Sequence, residues 1–187
     1  NTRTATGSGD VASLMFSPHM APFVPFLIGD VEIVPMQVEH GLHPDGTPYM
    51  CNAFLIDRKI IFISDVSFVP ETVYRFIAEN FVNSPPELLI LDCLFPNRDM
   101  QSHVGWPGAQ QIIKRLCPKQ TLLVGMDHSI EHVSFDAEIR DTARLSYDGL
   151  IVNFVSSGQE VDFSKSDQEV DFSFSTADKR TDGEVSE

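Results

Sequence analysis

The sequence lacks the features that mark membrane, disulfide-bonded and nucleic-acid-binding proteins. No apolar run reaches the roughly 18 residues that a membrane-spanning helix needs. The three cysteines form no CxxC pair, which argues against a zinc ribbon, and their odd number favours a reducing, cytoplasmic location. Lys and Arg total 13 against 27 Asp and Glu. The net charge of −14 therefore argues against general nucleic-acid binding, although a small phosphorylated ligand could still be held by a metal.

The chain of 187 residues divides by composition into one apolar-patterned region with a polar segment on each side. Residues 1–20 carry no initiator Met and no signal-peptide pattern, and are expected to be the irregular remnant of an upstream element. Residues 21–155 are expected to form the domain. Residues 156–187 hold nine acidic and three basic residues and are expected to be a disordered tail. The tail repeats Gln-Glu-Val-Asp-Phe at 159–163 and 168–172, which could instead form a short strand or a docking motif.

Strand and helix patterns alternate through the central region. The predicted strands are Val31–Val38, Met50–Ile56, Ile60–Ile63, Leu88–Leu91, Thr121–Val124 and Leu150–Val155, and the predicted helices are Pro70–Phe81, Gly108–Leu116 and Phe135–Arg144. Strands come first, and then helices and strands alternate. This order predicts an α/β or α+β domain with helices packed on a sheet.

Histidines and aspartates recur where the predicted strands end. His40, Asp65 and Asp92 each follow a different strand, and Asp127 and His128 follow the fifth. Side chains from distant parts of a chain converge in the loops after strand ends. Because carboxylates and imidazoles together bind hard or borderline cations, the pattern indicates a metal or acid–base site.

Each of these residues also has a purely structural interpretation. An Asp after a strand is commonly a turn former or helix cap, which could apply to Asp65. His40 could be a satisfied, partly buried histidine, and His103 could be a loop residue ahead of a helix. His128 and His132 have the i,i+4 spacing that can bind a metal on a helix, but surface residues share it. The residues alone leave both interpretations open.

Six segments together resemble the metallo-β-lactamase superfamily, most closely the branch with the phosphonate-pathway cyclic phosphodiesterases and their eukaryotic hydrolase relatives. The resemblance spans Pro22 to Val155 and depends on the order and spacing of the segments rather than on any one of them. The segments are Val38-Glu-His-Gly41, Ile63-Ser-Asp-Val-Ser67, Leu89-Ile-Leu-Asp-Cys93, Ser102-His-Val104, Gly125-Met-Asp-His128 with His132, and Ser146-Tyr-Asp-Gly-Leu150.

The resemblance implies an αββα sandwich, incomplete here at its N-terminal side, with a metal site at one edge of the two sheets. His40 corresponds to a ligand of the first metal. Asp65 corresponds to the carboxylate that bridges two metals, a role that its two oxygens suit. His103 corresponds to a histidine that acts on the phosphate or the leaving group.

The resemblance also shows two departures from the pattern of the branch. The usual upstream His-x-His-x-Asp-His motif has no counterpart, since His19 is the only earlier histidine. The late histidine ligand directly follows a strand, where this chain has Gly125. His128, or alternatively His132, is expected to replace it. Asp92 is expected to be structural or to orient a ligand by hydrogen bonding.

The expected function is that of a metal-dependent hydrolase, a phosphodiesterase that cleaves a small phosphodiester with two divalent ions, Zn²⁺ or Mn²⁺. The alternative is a truncated or degenerate, non-catalytic module that binds other proteins. A further alternative is that a second chain supplies the remaining half. A truncated sandwich would expose an apolar sheet face, which predicts a homodimer or aggregation.

Overall fold

The computed structural model describes residues 20–153 and the strand at 162–165. The chain divides after Ser146 into two units. The first unit contains seven strands and three helices in the described residues. They are β1 (Phe26–Ile28), β2 (Val31–Leu42), β3 (Pro48–Ile56), β4 (Ile60–Ile63), α1 (Glu71–Asn80), β5 (Leu88–Asp92), α2 (Trp106–Leu116), β6 (Gln120–Val124), α3 (His132–Ile139) and β7 (Arg144–Leu145). The described part of the second unit is an antiparallel pair, β8 (Leu150–Asn153) with β9 (Asp162–Lys165).

One mixed sheet with the strand order β1 to β7 organises the first unit. The pairs from β1 to β4 are antiparallel, and those from β4 to β7 are parallel. Each parallel connection contains one of the three helices, as a crossover between parallel strands requires. The carboxyl ends of β4, β5 and β6 therefore meet at one edge of the sheet. This edge carries the residues that the sequence singled out.

The hydrophobic core lies between this sheet and helices α1, α2 and α3. β2 buries Val34, Met36 and Val38, the two-residue period of a strand with one face covered. α1 contributes Val73 and Ile77, which lie one turn apart and so share a face. The helices and strands bury further residues in the same cluster, including Leu55, Ile61, Ile63, Leu89, Leu91, Ala109, Ile112, Ile113, Leu116 and Leu123. Full burial of each large aliphatic side chain stabilises the fold by about 1.5–3 kcal/mol.

Helix α2 begins and ends where its sequence directs. Pro107 lies in the first turn, where its missing amide hydrogen costs no hydrogen bond. The Asp99 carboxylate accepts hydrogen bonds from the amides of Gly105 (2.8 Å) and Gly108 (3.0 Å), which satisfies the exposed start of the helix. Cys117 ends it in a left-handed conformation, with φ of 48°. The helix thereby fixes the loop before it, which contains His103.

The α/β class predicted from the sequence is confirmed, and two predicted elements differ from their predicted bounds by three residues or more at an end. β2 continues to Leu42 rather than ending at Val38, so His40 lies inside a strand and not after one. The helix predicted at Phe135–Arg144 is wrong at both ends. It begins at His132, because Glu131 accepts hydrogen bonds from two amides of its first turn.

The end of α3 also has a local cause. The Asp136 carboxylate accepts hydrogen bonds from the Leu145 amide at 2.8 Å and from Arg144 Nε at 3.0 Å. Arg144 and Leu145 therefore lie in strand β7 instead of continuing the helix.

The flanking segments fall largely outside the described residues. Of the predicted remnant at 1–20, only residue 20 is described. Within the predicted acidic tail, Asp162–Lys165 form strand β9, so the short-strand alternative applies to these four residues. Among the described helices, none has the length and apolar character needed to span a membrane.

Candidate metal site

A β-bulge in β2 sets the position of His40. Glu39 pairs with Met50 and Leu42 pairs with Pro48, so His40 and Gly41 together face the single residue Tyr49. Gly41 has φ of +85°, and its amide donates a hydrogen bond to Ser67 Oγ at 2.9 Å. Bulges interrupt the regular alternation of a strand and re-aim its side chains. The bulge therefore sets the direction of the His40 side chain, which the regular alternation of side chains along β2 would not predict.

The imidazole of His40 is fixed by a main-chain carbonyl. Its Nδ1 lies 2.6 Å from the carbonyl oxygen of Ser102. A carbonyl only accepts hydrogen bonds, so Nδ1 carries the hydrogen and donates it. In the neutral ring, Nε2 then keeps its lone pair, and it lies 3.8 Å from Asp65 Oδ2. Metal-binding histidines are commonly oriented through the other ring nitrogen in this way.

Asp65 follows β4, and hydrogen bonds hold the backbone of the two residues after it. The amide of Val66 donates to Asp92 Oδ2 at 3.3 Å, and the amide of Ser67 donates to the Glu39 carbonyl at 2.6 Å. Val66 itself is fully buried, whereas the Asp65 side chain is 49% exposed. The backbone is thus fixed while the carboxylate stays accessible to a ligand.

His103 is oriented by a buried carboxylate. Its Nδ1 lies 2.8 Å from Oδ2 of Asp92, the last residue of β5, which is completely buried. Burial raises the pKa of Asp92, and the hydrogen bond with His103 acts against that rise. When Asp92 is ionised, His103 Nδ1 donates the hydrogen and Nε2 is left for a ligand. The His103 and His40 rings lie edge to face, with centroids 4.7 Å apart.

His40, Asp65 and His103 form a candidate metal site. One ligand atom from each lies within 4.8 Å of the others. Two imidazoles and a carboxylate suit Zn²⁺ or Mn²⁺, and three protein ligands with an open position are typical of catalytic zinc sites. The hydrogen bonds from the two rings to a carbonyl and a carboxylate match the usual support of such ligands. Within residues 20–153 this donor set fits one cation, so a second would need further ligands.

The structure places the other two predicted ligands elsewhere. The His128 side chain is 95% exposed, and its Nδ1 lies 3.3 Å from the neighbouring Asp127 Oδ2. Asp127 Oδ1 in turn accepts a hydrogen bond from the Ser129 amide, and hydrogen bonds from Ser129 lower its pKa. The Nε2 of His132 lies 3.1 Å from the carbonyl of Ser146. The predicted ligand roles of His128 and His132 thus gain no support from where these side chains lie.

Gly125 occupies the position where the resemblance expects a histidine. It has φ of +73°, and a Cβ added there would come within 2.6 Å of Asp92 Oδ1. A side chain at this position would therefore collide with the carboxylate that orients His103. Among the described residues, that same oxygen is buried without a hydrogen-bond partner.

The sequence analysis did not identify two neighbours of His40. They are the Ser102 carbonyl, which accepts its hydrogen bond, and Tyr49, which faces it across the bulge. Only one signal was available for them, the glycine after His40, since a glycine inside a strand pattern often marks a bulge.

The mixed sheet with its crossover helices, and the histidines and aspartates at its edge, define an α/β domain of the metallo-β-lactamase fold. A PhnP-family diphosphatase matches 72% of this chain with a TM-score of 0.60 and 17% identity. YhfI from Bacillus subtilis, a metallo-β-lactamase fold protein, matches 67% with a TM-score of 0.51 and 20% identity. This chain covers 48% and 51% of those two structures, about half of each. No protein-family model and no curated protein sequence matches the chain.

Proposed function

We propose that this chain supplies His40, Asp65 and His103 to the metal site of a hydrolase that acts on small phosphodiesters. The observation that carries the proposal is that ligand atoms from three separate chain segments lie close together. In both histidines, the other ring nitrogen is held by a hydrogen bond. The structural similarity to a diphosphatase supports hydrolysis of a P–O bond as the class of reaction. The acidic surface expected from the net charge fits a small substrate held by a cation rather than by a basic patch.

The side chains of the site have distinct roles in this proposal. A divalent cation bound there would activate water and stabilise negative charge on the phosphoryl oxygens. Asp65 and His40 would hold it, through a carboxylate oxygen and Nε2 that already lie 3.8 Å apart. His103 would donate a proton from Nε2 to the leaving oxygen as the ester P–O bond breaks. Asp92 would stabilise the protonated imidazole, because their hydrogen bond then joins opposite charges.

The structure allows His103 two roles, and metal affinity separates them. His103 belongs to the group of atoms within ligand distance, so it could bind the cation instead of transferring a proton. If His103 acts as the acid, His103→Ala lowers hydrolysis while leaving Mn²⁺ affinity within about threefold. A loss of affinity as large as that of His40→Ala would assign His103 as a ligand instead.

The fuller form of the proposal is a two-ion centre of Zn²⁺ or Mn²⁺ with Asp65 as the bridge. A carboxylate suits the bridge because its two oxygens can each take one ion. Asp65 Oδ2 faces His40, and Oδ1 accepts a hydrogen bond from Ser64 Oγ at 3.1 Å. Metal analysis of the purified full chain tests the number of ions directly.

A non-catalytic interaction module is the second candidate. The observation that favours it is the small number of metal ligands. The described residues bring three donors together, and the His128 side chain faces solvent. Zero bound metal and no hydrolysis would support this candidate. The predicted homodimer stays a separate prediction, and sedimentation of the purified chain checks it.

The proposal is tested with the full chain on bis-p-nitrophenyl phosphate in the presence of Mn²⁺ or Zn²⁺. We expect release of p-nitrophenolate that depends on the metal and is lost on chelation. His40→Ala should abolish it, because it removes an imidazole ligand. Hydrolysis that persists in His40→Ala, or that no metal supports in the wild type, would refute the proposal.

A further inference from the structure

Tyr49 continues a row of rings that begins at the candidate metal site. From His103 the row passes to His40 at 4.7 Å, to Tyr49 at 6.0 Å and to His43 at a further 5.2 Å, measured between ring centroids. The Tyr49 side chain stays accessible, since the residue is 46% exposed. A single exposed tyrosine needs no explanation. Its contact with a metal-site histidine is what distinguishes this one.

The bulge explains why Tyr49 lies beside His40. Tyr49 is the one residue of β3 that faces the two residues His40 and Gly41 of β2. The same irregularity that directs the histidine therefore also places the tyrosine next to it. The strand ends thus offer an exposed aromatic ring at the margin of the site.

The turn that joins β2 to β3 holds this surface in place. The amide of His43 donates to the Thr47 carbonyl at 2.8 Å, and the amide of Gly46 donates to the His43 carbonyl at 2.9 Å. The Asp45 carboxylate accepts hydrogen bonds from both the amide and the hydroxyl of Thr47. His43 packs edge to face against Tyr49 at an interplanar angle of 72°. A ring braced in this way costs little entropy to order when a ligand binds.

We propose that Tyr49, braced by His43, is a specificity residue that packs against an aromatic group of the substrate while the phosphate lies at the His40, Asp65 and His103 site. The inference rests on the proposed function and adds the substrate class, phosphate esters with an aromatic substituent close to the phosphate. Tyrosine suits the role because its flat face accepts offset or edge-to-face stacking at centroid distances of about 4.5–7 Å.

The test compares phenylphosphonate with methylphosphonate, two non-hydrolysable ligands that share the phosphonate and carry a phenyl or a methyl group. Their dissociation constants are measured by calorimetry on the Mn²⁺-loaded full chain. We expect the wild type to bind phenylphosphonate about three- to tenfold more tightly. Tyr49→Phe should keep that preference because it keeps the ring. Tyr49→Leu should remove it without weakening methylphosphonate, because leucine keeps the apolar character but has no aromatic face.

The outcomes separate this inference from the hydrolase proposal. Equal affinities in the wild type, failure of phenylphosphonate to bind, or an unchanged preference in Tyr49→Leu would each overturn the role of Tyr49. A preference that depends on Tyr49 in a chain that does not hydrolyse bis-p-nitrophenyl phosphate would instead leave that role standing and remove the hydrolase proposal. Circular dichroism of both variants verifies that the hairpin substitutions leave the fold intact.

Discussion

The edge of the sheet carries two groups of histidine and aspartate, and they differ in what supports them. His40, Asp65 and His103 come from three segments, and a carbonyl and a buried carboxylate orient the two rings. Asp127 and His128, after β6, are neighbours in sequence that contact each other in an exposed turn. Asp65 and the Asp127–His128 pair follow the strand-end pattern that predicted a site, whereas His40 lies inside β2.

The difference shows that position at a strand end is a weak criterion by itself. A histidine becomes a ready ligand when one ring nitrogen is held and the other is left free. His40 and His103 meet this condition, whereas the 95% exposed side chain of His128 does not. The following predictions test the contrast, beginning with the largest expected effect.

Replacing Asp65 should have the largest effect on activity. Asp65→Asn removes the anionic oxygens from the site, and we expect hydrolysis of bis-p-nitrophenyl phosphate to fall about 100-fold or more. The matched control is Asp127→Asn in the exposed turn, which should stay within about twofold of the wild type. Similar losses in both variants would remove the contrast between the two groups.

Replacing Asp92 tests the buried support of His103. Asp92→Asn keeps the size of the side chain but removes the charge that orients and stabilises the imidazole. We expect a loss of about 10- to 100-fold in activity or metal affinity, the range for residues that hydrogen-bond to ligands. Steady-state kinetics and Mn²⁺ titration measure it. Wild-type activity and Mn²⁺ affinity in this variant would show that His103 does not need a carboxylate at its Nδ1.

A side chain at position 125 should lower the free energy of unfolding more than one at a glycine with free space around it. Gly125→Ala brings a Cβ within 2.6 Å of Asp92 Oδ1 at a residue whose φ is +73°. Gly29→Ala is the matched control, since Gly29 has φ of +60° and nothing lies within 4 Å of an added Cβ. We expect Gly29→Ala to lower the free energy of unfolding by about 1–2 kcal/mol from backbone strain. Gly125→Ala should cost about 1–3 kcal/mol more from overpacking. Urea denaturation of both proteins tests this, and equal costs would contradict it.

The buried Asp136 of α3 should act on stability instead of chemistry. Burial alone would raise its pKa, but hydrogen bonds from Arg144 and the Leu145 amide outweigh it and lower the pKa. A lowered pKa stabilises the fold above the unfolded-state value of about 3.9, and the gain is lost as pH falls through the folded value. Asp136→Asn should therefore cost about 1–2 kcal/mol at pH 7. The difference from the wild type should shrink below about pH 4, and a difference independent of pH would contradict this account.

The sequence predicted the apolar elements well because their burial is periodic. Ile60–Ile63 has the predicted bounds, α1 is one residue shorter than predicted at each end, and β5 is one residue longer at its carboxyl end. The single core-facing apolar stripe of α1 and the continuous apolar run of β5 are patterns that the core itself imposes.

The sequence could not predict how the site is oriented, since its supports are non-local. The carbonyl that holds His40 belongs to Ser102, 62 residues away, and the extra residue in β2 is visible only against its partner strand. The i,i+4 spacing of His128 and His132 carried no information about exposure. Gly125 lies where the resemblance expects a histidine, and only the three-dimensional structure shows Asp92 against it.

The most direct test of the central claim is a Co²⁺ titration of the full chain followed by visible absorbance. The wild type and His128→Ala should bind Co²⁺ with dissociation constants within about twofold of each other, whereas His40→Ala should bind at least about 100-fold more weakly. Unchanged affinity in His40→Ala, with a loss in His128→Ala, would contradict the account and move the metal site to the turn after β6.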